Sequence, residues 1–151
     1  MAALSREIHR LIRPLFVALI AVQGLHSLEE YLTKLYNVFT PARYLSGLFT
    51  TDLRLGFAGF NAALLGFGIW CYVFRVRPNH PRAAGWIWFW VLLELGNGAG
   101  HLALAVLRGP YFPGAATAPF LLVLAGILAY RLSRIPLPNA STQQGETGTR
   151  G

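Results

Sequence analysis

Four stretches of the chain are apolar over close to the ~20 residues that a helix needs to cross a hydrocarbon layer: about Pro14 to Leu32, Leu55 to Phe74, Ala84 to Leu107 and Ala115 to Leu132. Polar positions gather between and beyond them. Strand-like alternation is weak, and a barrel needs many ~10-residue segments that 151 residues cannot supply. The pattern therefore predicts an all-α fold, an integral membrane bundle of four transmembrane helices forming one domain over residues 1–135. The end of the chain, "PLPNASTQQGETGTRG", has no apolar periodicity and is rich in Pro, Ser, Thr, Gln and Gly. Residues 136–151 are expected to be a disordered tail.

Composition agrees with a bilayer as solvent. Hydrophobic residues make up 54% of the chain and charged residues 13%, and the mean hydropathy is +0.46, which is too apolar for an ordinary soluble domain of this length. The net charge of +7 raises nucleic acid as a partner. The basic residues, however, sit at the ends of apolar segments instead of forming a patch, so no nucleic-acid partner is expected.

Topology accounts for those charges better. Of the 13 Lys and Arg residues, nine lie at the N-terminus (Arg6, Arg10, Arg13), in the second connection (Arg75, Arg77, Arg82) and at the C-terminal end (Arg131, Arg134, Arg150). The first connection (Lys34, Arg43, Arg54) and the third (Arg108) hold the other four. The positive-inside rule then places both termini in the cytoplasm of a bacterial-type plasma membrane. Trp70, Trp86, Trp88 and Trp90 fall near the cytoplasmic ends of the second and third spans, where indole rings settle at an interface. A cleaved signal peptide is a competing reading of the basic start and the run from Leu15 to Val22, but no clear A-x-A site follows. The lone Cys71 lies within the second span and can form no internal disulfide.

The acidic residues change the picture most. Of only six, three (Glu29, Glu30 and Glu94) fall within or at the end of predicted spans, together with His26 and His101. His9 and His80 lie in polar flanks. A carboxylate in hydrocarbon costs at least ~2.5–3.5 kcal/mol, so such groups face the bundle interior and mark a site. His26, Glu29 and Glu30 are spaced i, i+3, i+4, and Glu94, Asn97 and His101 are spaced i, i+3, i+7, so each helix carries one polar stripe. At ~1.5 Å per residue the two stripes share a layer in the outer half of the membrane, and Asn61 of the second span reaches the same depth. Gly96, Gly98, Gly100 and Ala103 would admit a close neighbour around the stripe.

Two histidines and three carboxylates suit a divalent transition metal, zinc or iron, with His26, Glu29, Glu30, Glu94 and His101 as candidate ligands and Asn61 and Asn97 as orienters. The arrangement is neither the Glu-x-x-His of ferritin-like bundles nor the H-E-x-x-H of zinc proteases. Without metal, Glu30, Glu94 and His101 suit acid-base catalysis on a lipid-soluble substrate such as a sterol, isoprenoid or acyl lipid entering from the surrounding membrane lipids. The same residues also suit a proton-coupled small-molecule transporter, or a purely structural hydrogen-bond network.

"HSLEE", "NGAGH" and the following "YFPGAATA" resemble the motifs of the HXXEE-domain family of small multi-spanning membrane proteins, over about His26 to Ala118. The signature maps onto His26, Glu29 and Glu30, and a downstream Asn-x-x-x-His onto Asn97 and His101. The resemblance implies a fold and a site, and no particular reaction. In the third connection, Pro110, Pro113 and Gly114 mark a tight outer turn, with Tyr111 and Thr117 able to cover the polar centre. The first connection, about Thr33 to Arg54, is expected to hold a short amphipathic segment on the outer surface, its Arg43, Tyr44 and Asp52 forming at most a weak lid.

Overall fold

The computed structural model describes residues 11–109 and 111–134. Arg6, His9, Arg10, Pro110 and the tail at 136–151 lie outside the described residues. Among the described residues six α-helices follow in chain order: α1 (Arg13–Leu32), α2 (Leu35–Val38), α3 (Thr40–Gly47), α4 (Leu53–Cys71), α5 (Ala83–Arg108) and α6 (Ala118–Ser133). A π-helical turn, Tyr72–Val76, continues α4. Among the described residues there is no strand, so the fold is all-α.

Local chemistry sets the helix ends. Pro14 and Pro119 occupy the first turns of α1 and α6, where a missing N–H costs nothing. Asp52 caps α4 by accepting from the backbone N–H of Arg54 at 2.9 Å and of Leu55 at 3.2 Å. The hydroxyl of Thr33 turns back on the Glu29 carbonyl at the end of α1, and Lys34 follows in a left-handed conformation that starts the first connection. That connection is folded, as the sequence suggests, into α2 and α3. α3 crosses α4 so closely that a Cβ on Gly56 would overlap the Ser46 carbonyl.

Among the described residues three helices are long and apolar enough to cross a membrane: α1, α4 with its π-helical turn, and α5, with 20, 24 and 26 residues. The fourth falls short of the expected span. α6 has 16 residues, about 24 Å of helix against a hydrocarbon thickness of ~30 Å. It begins at Ala118 instead of Ala115 because the preceding connection is drawn down into the bundle.

α6 packs along α5 and across α1, and α1 also meets α4. Phe16, Leu19, Ile87, Trp90, Leu121 and Leu128, all fully buried, form an apolar core at the end of the bundle nearest the chain termini. Trp90 belongs to this core and not to an interface, its ring set edge-on to Phe16 at 6.4 Å. α4 and α5 are joined at this end by Phe67 and Trp70 against Trp86, Phe89 and Trp90. Farther along they are separated by a cavity.

The outer surface inverts the pattern of a water-soluble domain. Leu25 and Leu28 are 58% and 51% exposed, whereas His26 between them is fully buried and Glu30 is 6% exposed. Likewise Leu92 is 64% exposed and Glu94 is fully buried. Apolar side chains face outward and polar ones inward.

Candidate metal centre

The polar residues of α1 lie on one face because Gln23, Ser27 and Glu30 follow at i, i+4, i+7, with His26 beside them. His101 comes from α5, seven residues before its end and so roughly 10 Å inside it. The α5–α6 connection folds back by the same distance, which brings the Pro113 carbonyl to His101, where it accepts from the Nδ1 hydrogen. Gly114 is the reason this approach is possible. Its φ of +89° suits glycine, and a Cβ there would lie 2.5 Å from His101 Nδ1 and 2.8 Å from His26 Cε1.

The hydrogen bonds fix both imidazole tautomers. A carbonyl oxygen only accepts, so His101 carries its hydrogen on Nδ1. His26 Nδ1 lies 2.7 Å from Thr117 Oγ1, and the single hydroxyl hydrogen of Thr117 is committed to Glu29 Oε2 at 2.6 Å. His26 Nδ1 therefore donates. Each ring then turns its Nε2 to Glu30 Oε1, at 2.9 Å from His101 and 3.4 Å from His26. His26 Nε2 is buried without a hydrogen-bond partner. One ligand atom from each of His26, Glu30 and His101 lies within 4.8 Å of the others, and the rings stand edge-on with centroids 4.7 Å apart.

Glu29 lies outside this group. Its carboxylate accepts from Tyr111 Oη at 2.6 Å, Ala116 N–H at 3.1 Å, and both the N–H at 2.9 Å and the hydroxyl of Thr117. Irregular backbone inside a membrane-type bundle must have its polar groups satisfied by protein, and Glu29 does this for the α5–α6 connection. The Tyr111 phenol is pushed above its usual value of 10.0 by partial burial and by the hydrogen bond it donates to Glu29.

Glu94, Asn97 and Asn61 form a second polar group deeper along the bundle. Asn97 Nδ2 is 3.5 Å from Glu94 Oε2. Gln23, with its amide nitrogen turned to Glu94, donates to both carboxylate oxygens, at 3.2 and 2.8 Å. Ser27 donates to Asn61 Oδ1 at 2.7 Å, and the Asn61 amide donates to the Phe57 carbonyl at 3.0 Å. A cavity of about 520 Å³ connects the two groups, bounded by Glu30 and His101 at one side and by Glu94, Asn97 and Asn61 along its wall. The rest of its lining is mainly apolar, from α3, α4 and α5.

The sequence reading passed over Gln23 and Ser27. Their signal was visible as a polar i, i+4, i+7 face, since Gln23 interrupts an otherwise apolar run. Nothing in local spacing marked Gly114 as a wall of the centre. None of the curated proteins or solved structures compared with the chain matches it. A family model described as a protein of unknown function with an HXXEE motif matches residues 17–129.

Proposed function

We propose, for a chain that belongs to this family of proteins with an HXXEE motif, that it is a membrane-embedded enzyme whose His26, Glu30 and His101 hold one divalent metal ion beside a cavity for a lipid-soluble substrate. The observation that carries the reading is the convergence of the two Nε2 atoms on one carboxylate oxygen, with each Nδ1–H already engaged. Metal-binding histidines are held in this way by acceptors behind them. A self-satisfied network would bring buried His26 Nε2 within good hydrogen-bond geometry, whereas its nearest acceptor, Glu30 Oε1, stands off at 3.4 Å.

Two histidines and one carboxylate are the donor set of catalytic zinc sites that keep a position for water, and of iron sites that react with oxygen. Both chemistries suit the location, because Glu30 and His101 border the cavity. The inverted surface supports insertion in a bilayer, with α1, α4 and α5 spanning and α6 completing a four-helix arrangement from a recessed start. An even number of crossings puts the start of α1 and the end of α6 on one side, and the Lys and Arg distribution favours the cytoplasm for it.

The 2.9 Å contact between His101 Nε2 and Glu30 Oε1 favours a second reading, in which one proton shared there serves metal-free acid-base catalysis or proton-coupled transport. Elemental mass spectrometry on tag-free protein purified without chelators separates the two. About one metal per chain, lost in both Glu30→Ala and His101→Ala, supports the metal centre; a metal-free protein that keeps its fold favours the shared proton.

A further inference from the structure

The cavity also limits what the substrate is. α4 and α5 touch through the aromatic cluster around Phe67 and Trp90, and beyond it the cavity separates Phe60 and Leu64 of α4 from Leu93 and Gly96 of α5. This gap faces outward. Leu93 is 36% exposed, and nothing lies within 4 Å of where a Gly96 side chain would begin. An apolar chain therefore has a lateral path between two helices whose outer surfaces are apolar.

Charge chooses the head group. Glu30 and Glu94 both border the cavity, while no Lys or Arg among the described residues lines it. No cationic Lys or Arg side chain is therefore present to balance a phosphate head, and the two carboxyl groups disfavour one. Glu94 and the Asn61 and Asn97 carbonyl groups instead offer acceptors in a confined, mostly apolar space, where an anion would lose its water without compensation. We infer that the cavity takes a single-chain amphiphile through the α4–α5 gap, its head a hydroxyl or amine that donates hydrogen bonds and carries no negative charge. This deepens the lipid-substrate part of the proposed function and rests on it, but it does not require the metal.

The test uses the full chain in phosphatidylcholine nanodiscs with three probes of identical chain length, dodecanol, dodecylamine and dodecyl phosphate, counted by native mass spectrometry. Dodecanol or dodecylamine should be retained at one per chain, with dodecyl phosphate at least about tenfold weaker. The first two arms tell a neutral head from a cationic one. Gly96→Leu, which narrows the gap, should reduce retention by a similar factor, whereas Gly100→Leu, also with open space around its Cβ position but outside the cavity lining, should not. Glu94→Gln should shrink the discrimination against phosphate. Equal retention of all three probes, or no retention of any, overturns the inference. Metal content measured on the same samples keeps the two ideas apart: head-selective binding without metal sinks only the metal centre, and metal without selective binding sinks only this inference.

Discussion

Gly114→Ala probes the centre through a residue that supplies no ligand. The added Cβ would lie 2.5 Å from His101 Nδ1, 2.8 Å from His101 Cε1 and 2.8 Å from His26 Cε1. Ordinary contact begins near ~3.5 Å, so the rings or the connection must retreat by about 1 Å. Alanine at φ +89° adds a backbone cost of about 1–2 kcal/mol. The connection is also tied to α1 through four donors on Glu29, so it cannot move aside freely. A metal site needs its ligands within about 0.5 Å of the productive geometry, and the expected outcome is a loss of metal affinity of about 10- to 100-fold. The assay is competitive titration with a chromogenic chelator on detergent-purified protein, with Gly100→Ala as the matched control. Metal affinity in Gly114→Ala equal to that of the control would refute the reasoning, since it would mean that the imidazoles are not held against this turn.

Three further outcomes follow from the same contacts. Thr117→Val removes the acceptor behind His26 Nδ1 and the hydroxyl donor to Glu29, and should weaken metal binding about 10- to 100-fold while costing about 1–3 kcal/mol of stability; unchanged affinity in the same chelator titration would show that the tautomer is set elsewhere. Gly98→Ala places a Cβ 2.9 Å from Leu122 and 3.0 Å from the Ala118 carbonyl and should destabilise the α5–α6 contact by about 1–3 kcal/mol, read as a lower melting temperature, with metal stoichiometry preserved in whatever remains folded. Because the folded-state value of Tyr111 is raised above 10.0, its hydrogen bond to Glu29 is complete below pH 10 and is lost as pH climbs through the raised value. Tyrosinate absorbance should therefore lose a component centred above pH 10 in Tyr111→Phe, and a difference curve centred at or below pH 10 would contradict the assignment.

Much of the centre was legible in the sequence. His26, Glu30 and His101 were marked by being ionisable within apolar helices and by a reckoning of depth at a fixed rise per residue. The same reckoning could not separate Glu29 from Glu30, because i+3 and i+4 both neighbour His26 on a helix and differ by only ~100° of rotation. Rotation is set by packing, and here it turns Glu30 to the histidines and Glu29 to the α5–α6 connection. Glu94 shares the stripe of His101 but lies seven residues away, about 10 Å along the axis, which places it in the second polar group. The recessed connection was not legible, since Pro113 and Gly114 read as an ordinary outer turn. A turn's conformation is local, but how far it folds back depends on Glu29, 82 to 88 residues before the groups that it holds. The first connection was read correctly as partly helical, whereas its role as a wall of the cavity depends on the Gly56–Ser46 approach, which is a tertiary contact.

The clasp between Glu29 and Thr117 has a consequence for biogenesis. His26 meets Thr117 across 91 positions of chain, and at roughly 5–20 residues per second this separation takes about 5–18 s to synthesise. During that interval α1 has left the ribosome with His26, Glu29 and Glu30 lacking their partners from α5 and the last connection. Ionisable groups without partners resist transfer into lipid, so α1 is favoured to stay beside the insertion machinery until the final hairpin arrives. On the proposed function, completion of the polar centre is then also completion of membrane integration, and a chain truncated before Thr117 should be held back and degraded.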